Sequence, residues 1–448
     1  MCGILEEEVI TMLKRKLEEE LLKWKHKPDK ICLTIKGARQ VGKTTSILAF
    51  GKENYKSCIY LNFDINPQYC DIFEGSLEVD QILERISLMI PDAKFYPHET
   101  LFFLDEIQAC PNARTALKPF ALDKRFDVIS SGSLLGLNYK EVRSYPVGFE
   151  KIIEMHSLDF EEFLWALGYD HTICETLKKY FDSQTPVPKA IHEKMLENFR
   201  KYMVVGGMPV VVTEFIKTHN FNDVLEKQEI ILHSYMDDMA KYASADQRVK
   251  VRECFLSIPR QLAKENKKFQ YSKIEKGASA RKYESSLMWL HDAGIISFAY
   301  NLSFPELPLE GNAIDEQFKV YMRDTGLLLA MLEKGTQKDI IDGNMRVYKG
   351  AVYENVIAEL FTKMGRKLYY YRKDSGMEIA FFIRYDGKCM PIEVKSSQMN
   401  QAKSLKTLLT RRDHYHMDTG MKLGEQNVGY MGDILTVPIY MAPLLNKV

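Results

Sequence analysis

Gly37-Ala38-Arg39-Gln40-Val41-Gly42-Lys43-Thr44 reads G-x-x-x-x-G-K-T, and its flanks decide how the first part of the chain folds. Upstream, Ile31-Cys32-Leu33-Thr34-Ile35 is an apolar, β-rich run. Downstream, Thr45-Ser46-Ile47-Leu48-Ala49-Phe50 reads as the first turns of a helix. In that strand–loop–helix context the pattern is a phosphate-binding loop. Gly37 and Gly42 let the backbone turn sharply and bring N–H groups close to phosphate oxygens, and the helix N-terminus adds the positive end of its dipole. Lys43 supplies a compact charge for the β- and γ-phosphates, and Thr44 a hydroxyl for Mg²⁺. The expected nucleotide-binding set is Gly37, Ala38, Arg39, Gln40, Val41, Gly42, Lys43, Thr44 and Thr45, with ATP and Mg²⁺ as ligands. The alternative is a chance glycine-rich turn, against which the strand and the helix both weigh.

About sixty residues further on, Leu101-Phe102-Phe103-Leu104-Asp105-Glu106 reads as a buried strand that delivers two carboxylates to its C-terminal end, the edge where ligands sit in open α/β sheets. Asp105 would hold Mg²⁺ through water, and Glu106 would polarise the water that attacks the γ-phosphate. Cys58-Ile59-Tyr60-Leu61-Asn62-Phe63 is a further buried strand. Phe126-Asp127-Val128-Ile129-Ser130 is another, expected between the loop strand and the acidic strand. The Ser131-Gly132-Ser133 that follows suits a sensor of the γ-phosphate, Ser133 first and Ser131 second; the alternative is a plain Ser/Gly turn. Phosphoryl transfer also needs positive charge against the developing negative charge. Arg125, taken first, with Arg114 and Arg143, are the candidates for an arginine finger; each also reads as an ordinary surface arginine.

The 448 residues predict two to four domains. Lys+Arg and Asp+Glu are 61 each, so no global basic field attracts nucleic acid and any such surface must be local. The eight cysteines form no C-x-x-C pair and no zinc-spaced cluster with histidine, which suggests a reducing interior. No apolar run approaches the roughly 20 residues that span a bilayer. Met1-Cys2-Gly3-Ile4-Leu5-Glu6-Glu7-Glu8 lacks the basic start and apolar core of a signal peptide. The expectation is a soluble cytoplasmic chain with no membrane partner. Residues from about Glu7 to Lys25 read as an amphipathic helix with Val9, Met12, Leu13 and Leu22 on one face. Its Trp24 is either a core anchor or a neighbour of the base.

The loop, the acidic strand and the polar strand together resemble the AAA+ ATPases. They resemble more closely one bacterial and archaeal group of them, through G-A-R-Q-V-G-K-T-T, Y-L-N-F-D, F-L-D-E-I-Q, D-V-I-S-S-G-S-L-L-G and S-Y-P-V-G-F-E. Ser157-Leu158-Asp159-Phe160-Glu161-Glu162-Phe163-Leu164 is similar to that group too, with Asp159 as a helix N-cap, Glu162 three residues on, and Gly168 ending the helix. AAA+ relatives often form rings with an arginine donated in trans, so a homo-oligomer is one expectation, but no single arginine here is marked out for that and the oligomeric state stays open.

From Leu177 the periodicity is helical, broken at Pro186-Val187-Pro188 and at Gly206-Gly207-Met208-Pro209, and similar G-G-M-P and Y-x-x-D phrases occur in the same ATPase group. Ser272 to Glu275 has capping-box spacing, Gly277 closes a short helix, Ser279 starts a second helix to about Asp292, and Ile295 to Tyr300 is a strand. Helix, tight turn, helix, strand is a winged helix-turn-helix pattern. Between Lys264 and Lys282 seven basic residues face two acidic ones, a net of five positive charges. Arg281 and Lys282, at the start of the second helix, are the candidate contacts to double-stranded DNA. A structural or protein-binding winged helix with a solvated basic loop is the equal alternative. Pro305-Glu306-Leu307-Pro308-Leu309 and Gly311 read as a rigid linker.

In the last hundred residues, Val352 to Lys363 is amphipathic and carries Glu354. Leu368 to Arg372, Met377 to Ile383 and Met390 to Lys395 read as strands, with Asp386-Gly387 as a hairpin turn and Glu393 and Lys395 on one face. A helix glutamate, a strand acid and E-x-K resemble the restriction-endonuclease-like PD-(D/E)xK fold, in which the strand acid and the E-x-K glutamate hold Mg²⁺ and the lysine assists the attacking water. Here the usual E-I-D-F reads Glu378-Ile379-Ala380-Phe381, and alanine coordinates no metal. Glu354, Glu378, Glu393 and Lys395 therefore form a degenerate site, with Glu378 expected on the face of the missing aspartate and nuclease activity not expected.

The fold expected is α/β, with a P-loop parallel sheet of AAA+ type over 1–170, a helical lid over 171–250, a winged helix-turn-helix over 251–310 and a small α/β restriction-endonuclease-like domain over 311–448. Two functions compete. In one, ATP hydrolysis drives conformational change in a DNA-associated machine. In the other, nucleotide is a slow switch for a protein–protein interaction.

Overall fold

The computed structural model describes residues 13–132, 146–244, 247–264, 267–343, 348–373, 376–395 and 402–447. It divides into two compact units, one ending at Ser157 and one beginning at Leu158. The first boundary thus falls before the capped helix, not at 170 as expected.

The first unit contains α1 (Leu17–Lys25), β1 (Cys32–Lys36), α2 (Lys43–Asn54), β2 (Ser57–Asn62), α3 (Val79–Met89), β3 (Thr100–Asp105), α4 (Pro111–Asp123), β4 (Asp127–Gly132) and β5 (Glu150–Glu154). All its strand pairs are parallel, in the order β2-β3-β4-β1-β5. Helices on the faces explain why β3 and β4 are buried along their whole length and why β3 reads as an apolar run. Phe102, Phe120 and Phe126 sit at the centre of one face of this core. The polar strand β4 lies between the loop strand and the acidic strand, as the sequence predicts. In α1 the buried side chains are Leu17, Leu21 and Trp24, while Leu22, expected inside, is exposed. The helix phase is therefore set by Leu17 and Leu21. Trp24 is a core anchor whose indole N–H donates to the Ile31 carbonyl at 2.8 Å.

The second unit opens with α5 (Phe160–Ala166), α6 (Thr172–Ser183), α7 (Lys189–Val205), α8 (Pro209–Thr218) and α9 (Phe221–Tyr242). The capping box at α5 forms: Glu162 N–H donates to the Asp159 carboxylate at 2.9 Å and Asp159 N–H to that of Glu162 at 3.0 Å. Then follow α10 (Arg248–Leu262), a single 3₁₀ turn at Tyr271–Lys273, α11 (Ala280–Asp292), β6 (Ile296–Leu302) and β7 (Ala313–Met322). The Pro-rich stretch expected as a linker is the loop of the β6–β7 hairpin, with Ser303 N–H donating to Asn312 O at 2.8 Å. A boundary at 310 therefore cuts a hairpin.

The chain continues with α12 (Thr325–Ala330), α13 (Thr336–Ile341), α14 (Lys349–Lys363), β8 (Leu368–Arg372), β9 (Glu378–Tyr385) and β10 (Lys388–Val394). It ends with α15 (Lys403–Thr410), α16 (Arg412–Tyr415), β11 (Gly420–Gly424), β12 (Gly429–Met431) and β13 (Ile434–Pro438). One mixed sheet runs β12-β13-β11-β10-β9-β8-β6-β7, so the β6–β7 hairpin and the C-terminal strands share it. Asp386 and Gly387, both at positive φ, make the two-residue β9–β10 turn.

Helices α6 and α7, expected as a lid, pack against the C-terminal strands. His192 bridges the Tyr440 hydroxyl at 2.9 Å and the Glu425 carbonyl at 3.0 Å, and Arg200 pairs with Glu425 at 3.1 Å. Asn427 exchanges two hydrogen bonds with the backbone of Val187. Deeper, Glu359 on α14 accepts from Tyr202 at 2.8 Å, Thr325 N–H at 2.7 Å and Lys363 at 2.6 Å. Asp324 caps α12 and also accepts from Gly207 N–H at 2.8 Å. A Cβ at Gly206 would lie 2.2 Å from Asp324 Oδ1, which explains a glycine in that turn. Buried polar networks of this kind help to fix one packing of the helices on the sheet.

Candidate active site

The phosphate-binding loop joins the C-terminal end of β1 to α2. Gln40 and Gly42 take positive φ (63° and 97°), and Gly42 is the residue before the helix. At Gly37 the backbone runs so close to β5 that a Cβ would meet the Met155 carbonyl oxygen at 2.2 Å. Met155 N–H donates to the Lys36 carbonyl at 2.8 Å. Arg15 holds the other side, its guanidinium donating to the Val41 carbonyl at 2.7 Å and the His156 carbonyl at 2.7 Å. Arg15 was not legible as a loop clamp, because its partners are 26 and 141 residues away. The Lys43 ammonium donates to the carbonyls of Gly37 at 2.9 Å and Ala38 at 2.8 Å, folded over the loop. Burial pulls its pKa down from 10.5 to about 8, against the opposing pull of Glu106 and Asp105.

Asp105 ends β3 and is buried. One carboxylate oxygen accepts from the Thr44 hydroxyl at 2.9 Å, the Tyr60 hydroxyl at 3.0 Å and the Asn62 amide at 3.0 Å. The other accepts from the Ser131 hydroxyl and from Glu106 N–H at 3.1 Å. These donors are all neutral. Tyr60 and Asn62 were missed as site residues, although two polar side chains two apart near the end of a buried strand share a face and were a usable signal. Asn62 stands opposite Asp105 in the β2–β3 register. Ser131, the second choice for the sensor, stands beside Ile35 of the loop strand and joins the Asp105 network; Ser133, the first choice, lies outside the described residues.

Glu106 takes the left-handed conformation (φ 54°, ψ 46°) and its carboxylate accepts from the Gln108 amide at 2.5 Å. For a residue with a Cβ that backbone costs about 1–3 kcal/mol, and such strain concentrates at functional sites. The order of the sheet thus brings Lys43, Thr44, Asp105, Glu106 and Ser131 to one edge.

The arginine candidates do not join them. Arg125 precedes β4, at the opposite edge of the sheet, with its guanidinium on Asp123 at 2.7 Å and Asp80 at 2.6 Å. A parallel strand separates its two ends by about 3.3 Å per residue, so Arg125 cannot reach its own phosphate loop. Arg114, in the first turns of α4, pairs with Glu150 at 2.9 Å, and the other oxygen of that carboxylate accepts from the Thr34 hydroxyl of β1 at 2.8 Å. Arg143 lies outside the described residues.

In the second unit the four residues expected as one degenerate site separate into two groups. Between β8 and β9 the pairing goes from Tyr371 opposite Ile379 to Tyr369 opposite Phe382, three residues of β9 against two of β8. This bulge interrupts the strict alternation of β9 after Ile379. Ile379 and Phe382 both enter the core under α15, while Glu378 pairs with Lys319 at 2.6 Å and Arg372 at 3.3 Å. Glu354 on α14 joins that group through Lys319 at 3.6 Å, Lys267 at 2.5 Å and the Tyr321 hydroxyl at 3.2 Å. Burial works against the Glu354 charge, but Lys267 and Lys319 overcome it and hold its pKa down at about 2. Glu393 pairs instead with Lys395 at 2.6 Å and accepts from Leu405 N–H at 3.3 Å. Among the described residues no three acids, cysteines or histidines converge as a metal site.

Arg281 and Lys282 stand exposed at the start of α11, and Lys282 pairs with Glu275. Lys267 of the same basic stretch is spent on Glu354, so the local positive surplus is smaller at the surface than in the sequence.

Residues 29–164 match the family described as an AAA domain. Residues 196–338 and 349–441 match two families, each described as a domain of unknown function. No curated protein matches the chain. Among solved structures, a Walker-type ATPase of Pyrococcus abyssi is 13% identical, with 71% of this chain and 96% of that one covered and a TM-score of 0.40. The Orc1 protein of Aeropyrum pernix, solved in complex with DNA, is 11% identical, covering 75% and 94%, with a TM-score of 0.33. AMPPCP-bound DnaA from Aquifex aeolicus is 14% identical, covering 62% and 86%, with a TM-score of 0.28. No described helix is long and apolar enough to cross a membrane.

Proposed function

We propose that the chain binds ATP with Mg²⁺ and hydrolyses it at the loop of residues 37–45, coupling turnover to conformational change. The observation that carries this reading is the Thr44 hydroxyl 2.9 Å from Asp105, beside Glu106, at the N-terminus of α2. A hydroxyl and a carboxylate are the hard oxygen donors that Mg²⁺ takes, one or two from protein and the rest from phosphate and water. Mg²⁺ held by Thr44 and, through water, Asp105 would offset phosphate charge. Loop amides and Lys43 orient the phosphates. Glu106 is the base for the attacking water, and Ser131 or Ser133 the sensor. The AAA-domain match over residues 29–164 supports the same assignment. Since Arg125 is held at the far edge and Arg114 is paired with Glu150, an arginine finger would come from a second copy, which favours a homo-oligomer.

A second reading has its own observation. Glu106 is held in a strained backbone conformation with its carboxylate on Gln108. A base so held favours slow turnover, as in a nucleotide switch for a protein partner. The order α10, 3₁₀ turn, α11, β6–β7 hairpin supports a winged helix, and α14-β8-β9-β10-α15-β11 supports a restriction-endonuclease-like fold without nuclease activity. Both are compatible with double-stranded DNA contacted through Arg281 and Lys282, in a cytoplasmic setting. The deciding measurement is the ATPase rate with and without DNA, beside Lys43→Ala and Glu106→Gln. DNA-stimulated turnover supports the motor and slow, DNA-indifferent turnover the switch. Undiminished hydrolysis by Lys43→Ala would falsify the site.

A further inference from the structure

The second unit holds a buried ion cluster that the nucleotide chemistry does not use. Lys319 on β7 is fully buried. Its ammonium lies 2.6 Å from Glu378 on β9, 3.6 Å from Glu354 on α14, and 4.6 Å from the centroid of the Tyr370 ring. The Tyr321 hydroxyl completes the Glu354 side at 3.2 Å. Two carboxylates from separate elements and an aromatic face therefore converge on the Lys319 ammonium. A divalent cation would ask the same carboxylates for the same position.

We propose that the Lys319 ε-ammonium is the resident cation of this site and closes it to divalent metal by charge and by volume. Three basic side chains, Lys319, Lys267 and Arg372, stand against two carboxylates, Glu354 and Glu378. The cluster is already net positive, so a divalent ion would enter against a surplus charge and against the buried ammonium itself. Ala380 is then not what keeps metal out. A carboxylate restored at 380 meets a neighbour whose negative charge is already neutralised by Lys319 and Arg372. The proposal rests on the geometry of the cluster and stands whether or not the nucleotide reading holds.

The test is Mn²⁺ binding to the full chain without nucleotide, followed by paramagnetic resonance. The native chain should take up no Mn²⁺ that Glu378→Gln removes, and Ala380→Asp should add none. Lys319→Ala, which removes the ammonium and leaves its space, should gain about one Mn²⁺ per chain. That gain should vanish in Lys319→Ala/Glu378→Gln, and Mn²⁺ should raise the melting temperature of Lys319→Ala and not that of the native chain. Uptake by Ala380→Asp with Lys319 intact, or a folded Lys319→Ala that takes up no Mn²⁺, overturns the proposal. Should Lys319→Ala fail to fold, the Ala380→Asp measurement decides.

Discussion

Asp105 in the first unit and Glu354 with Glu378 in the second are buried or largely buried carboxylates at strand or helix positions that the sequence marks as metal-binding. They are stabilised in opposite ways. Asp105 is solvated by neutral donors from Thr44, Tyr60, Asn62 and Ser131. Glu354 and Glu378 are solvated by ammonium and guanidinium groups of Lys267, Lys319 and Arg372. Neutral donors relieve the desolvation of a carboxylate and leave its charge available to an incoming cation. Cationic partners relieve it by cancelling that charge. The first arrangement is the one the proposed Mg²⁺ site needs, and the second is an ion cluster whose charges are already paired.

The largest effect that would break this contrast is on turnover. Lys43→Ala or Glu106→Gln should lower the ATPase rate by about 10²–10³-fold, the scale on which single transition-state contacts act, while Glu106→Gln retains ATP binding in a direct binding assay. On the other side of the comparison, Lys319→Ala leaves two carboxylates short of their central partner. It should destabilise the second unit by about 3–5 kcal/mol in denaturant titration, as loss of one partner from a buried ion pair does. A neutral effect there would mean that Lys319 is incidental to the cluster.

Acid and base act on the two sites in opposite senses. Glu354 is held at about 2 against an ordinary 4.5, so its contribution to stability is complete above 4.5. That contribution is lost as pH falls through about 2, and Glu354→Gln should flatten the acid limb of the unfolding profile. Lys43 is pulled down to about 8, so ATP affinity should be full below that pH and weaken as pH rises past it, in isothermal titration. The smallest effect concerns Glu393. Paired with Lys395 apart from the Lys319 cluster, it should leave any Mg²⁺-dependent DNA cleavage by the chain unchanged when replaced by alanine. Cleavage abolished by that change would make the second unit a working nuclease and erase the contrast.

Much of the first site was legible because its chemistry is local or strand-periodic. The loop, Thr44, Asp105 and Glu106 lie in two short stretches whose residue types admit few other uses. Arg15, Tyr60 and Asn62 reach the site through tertiary contacts, and the placement of Arg125 at the wrong edge followed only from strand direction. In the second unit the elements were largely legible and their relations were not. The β6–β7 loop read as a linker because proline and glycine mark both. Helices α6 and α7 read as a lid because nothing in their sequence announces His192 on Tyr440 or Arg200 on Glu425, more than 220 residues away.

By itself, then, the sequence determined the phosphate loop and the acidic strand beside it. These depend on residue type and short spacing, which the chain carries in one dimension. Only the tertiary structure decided that β9 carries an inserted residue after Ile379, and that Lys319, 59 residues before Glu378, meets its carboxylate. Register and burial are set by the packed sheet as a whole, and so is the sign of the charge that a carboxylate finally presents.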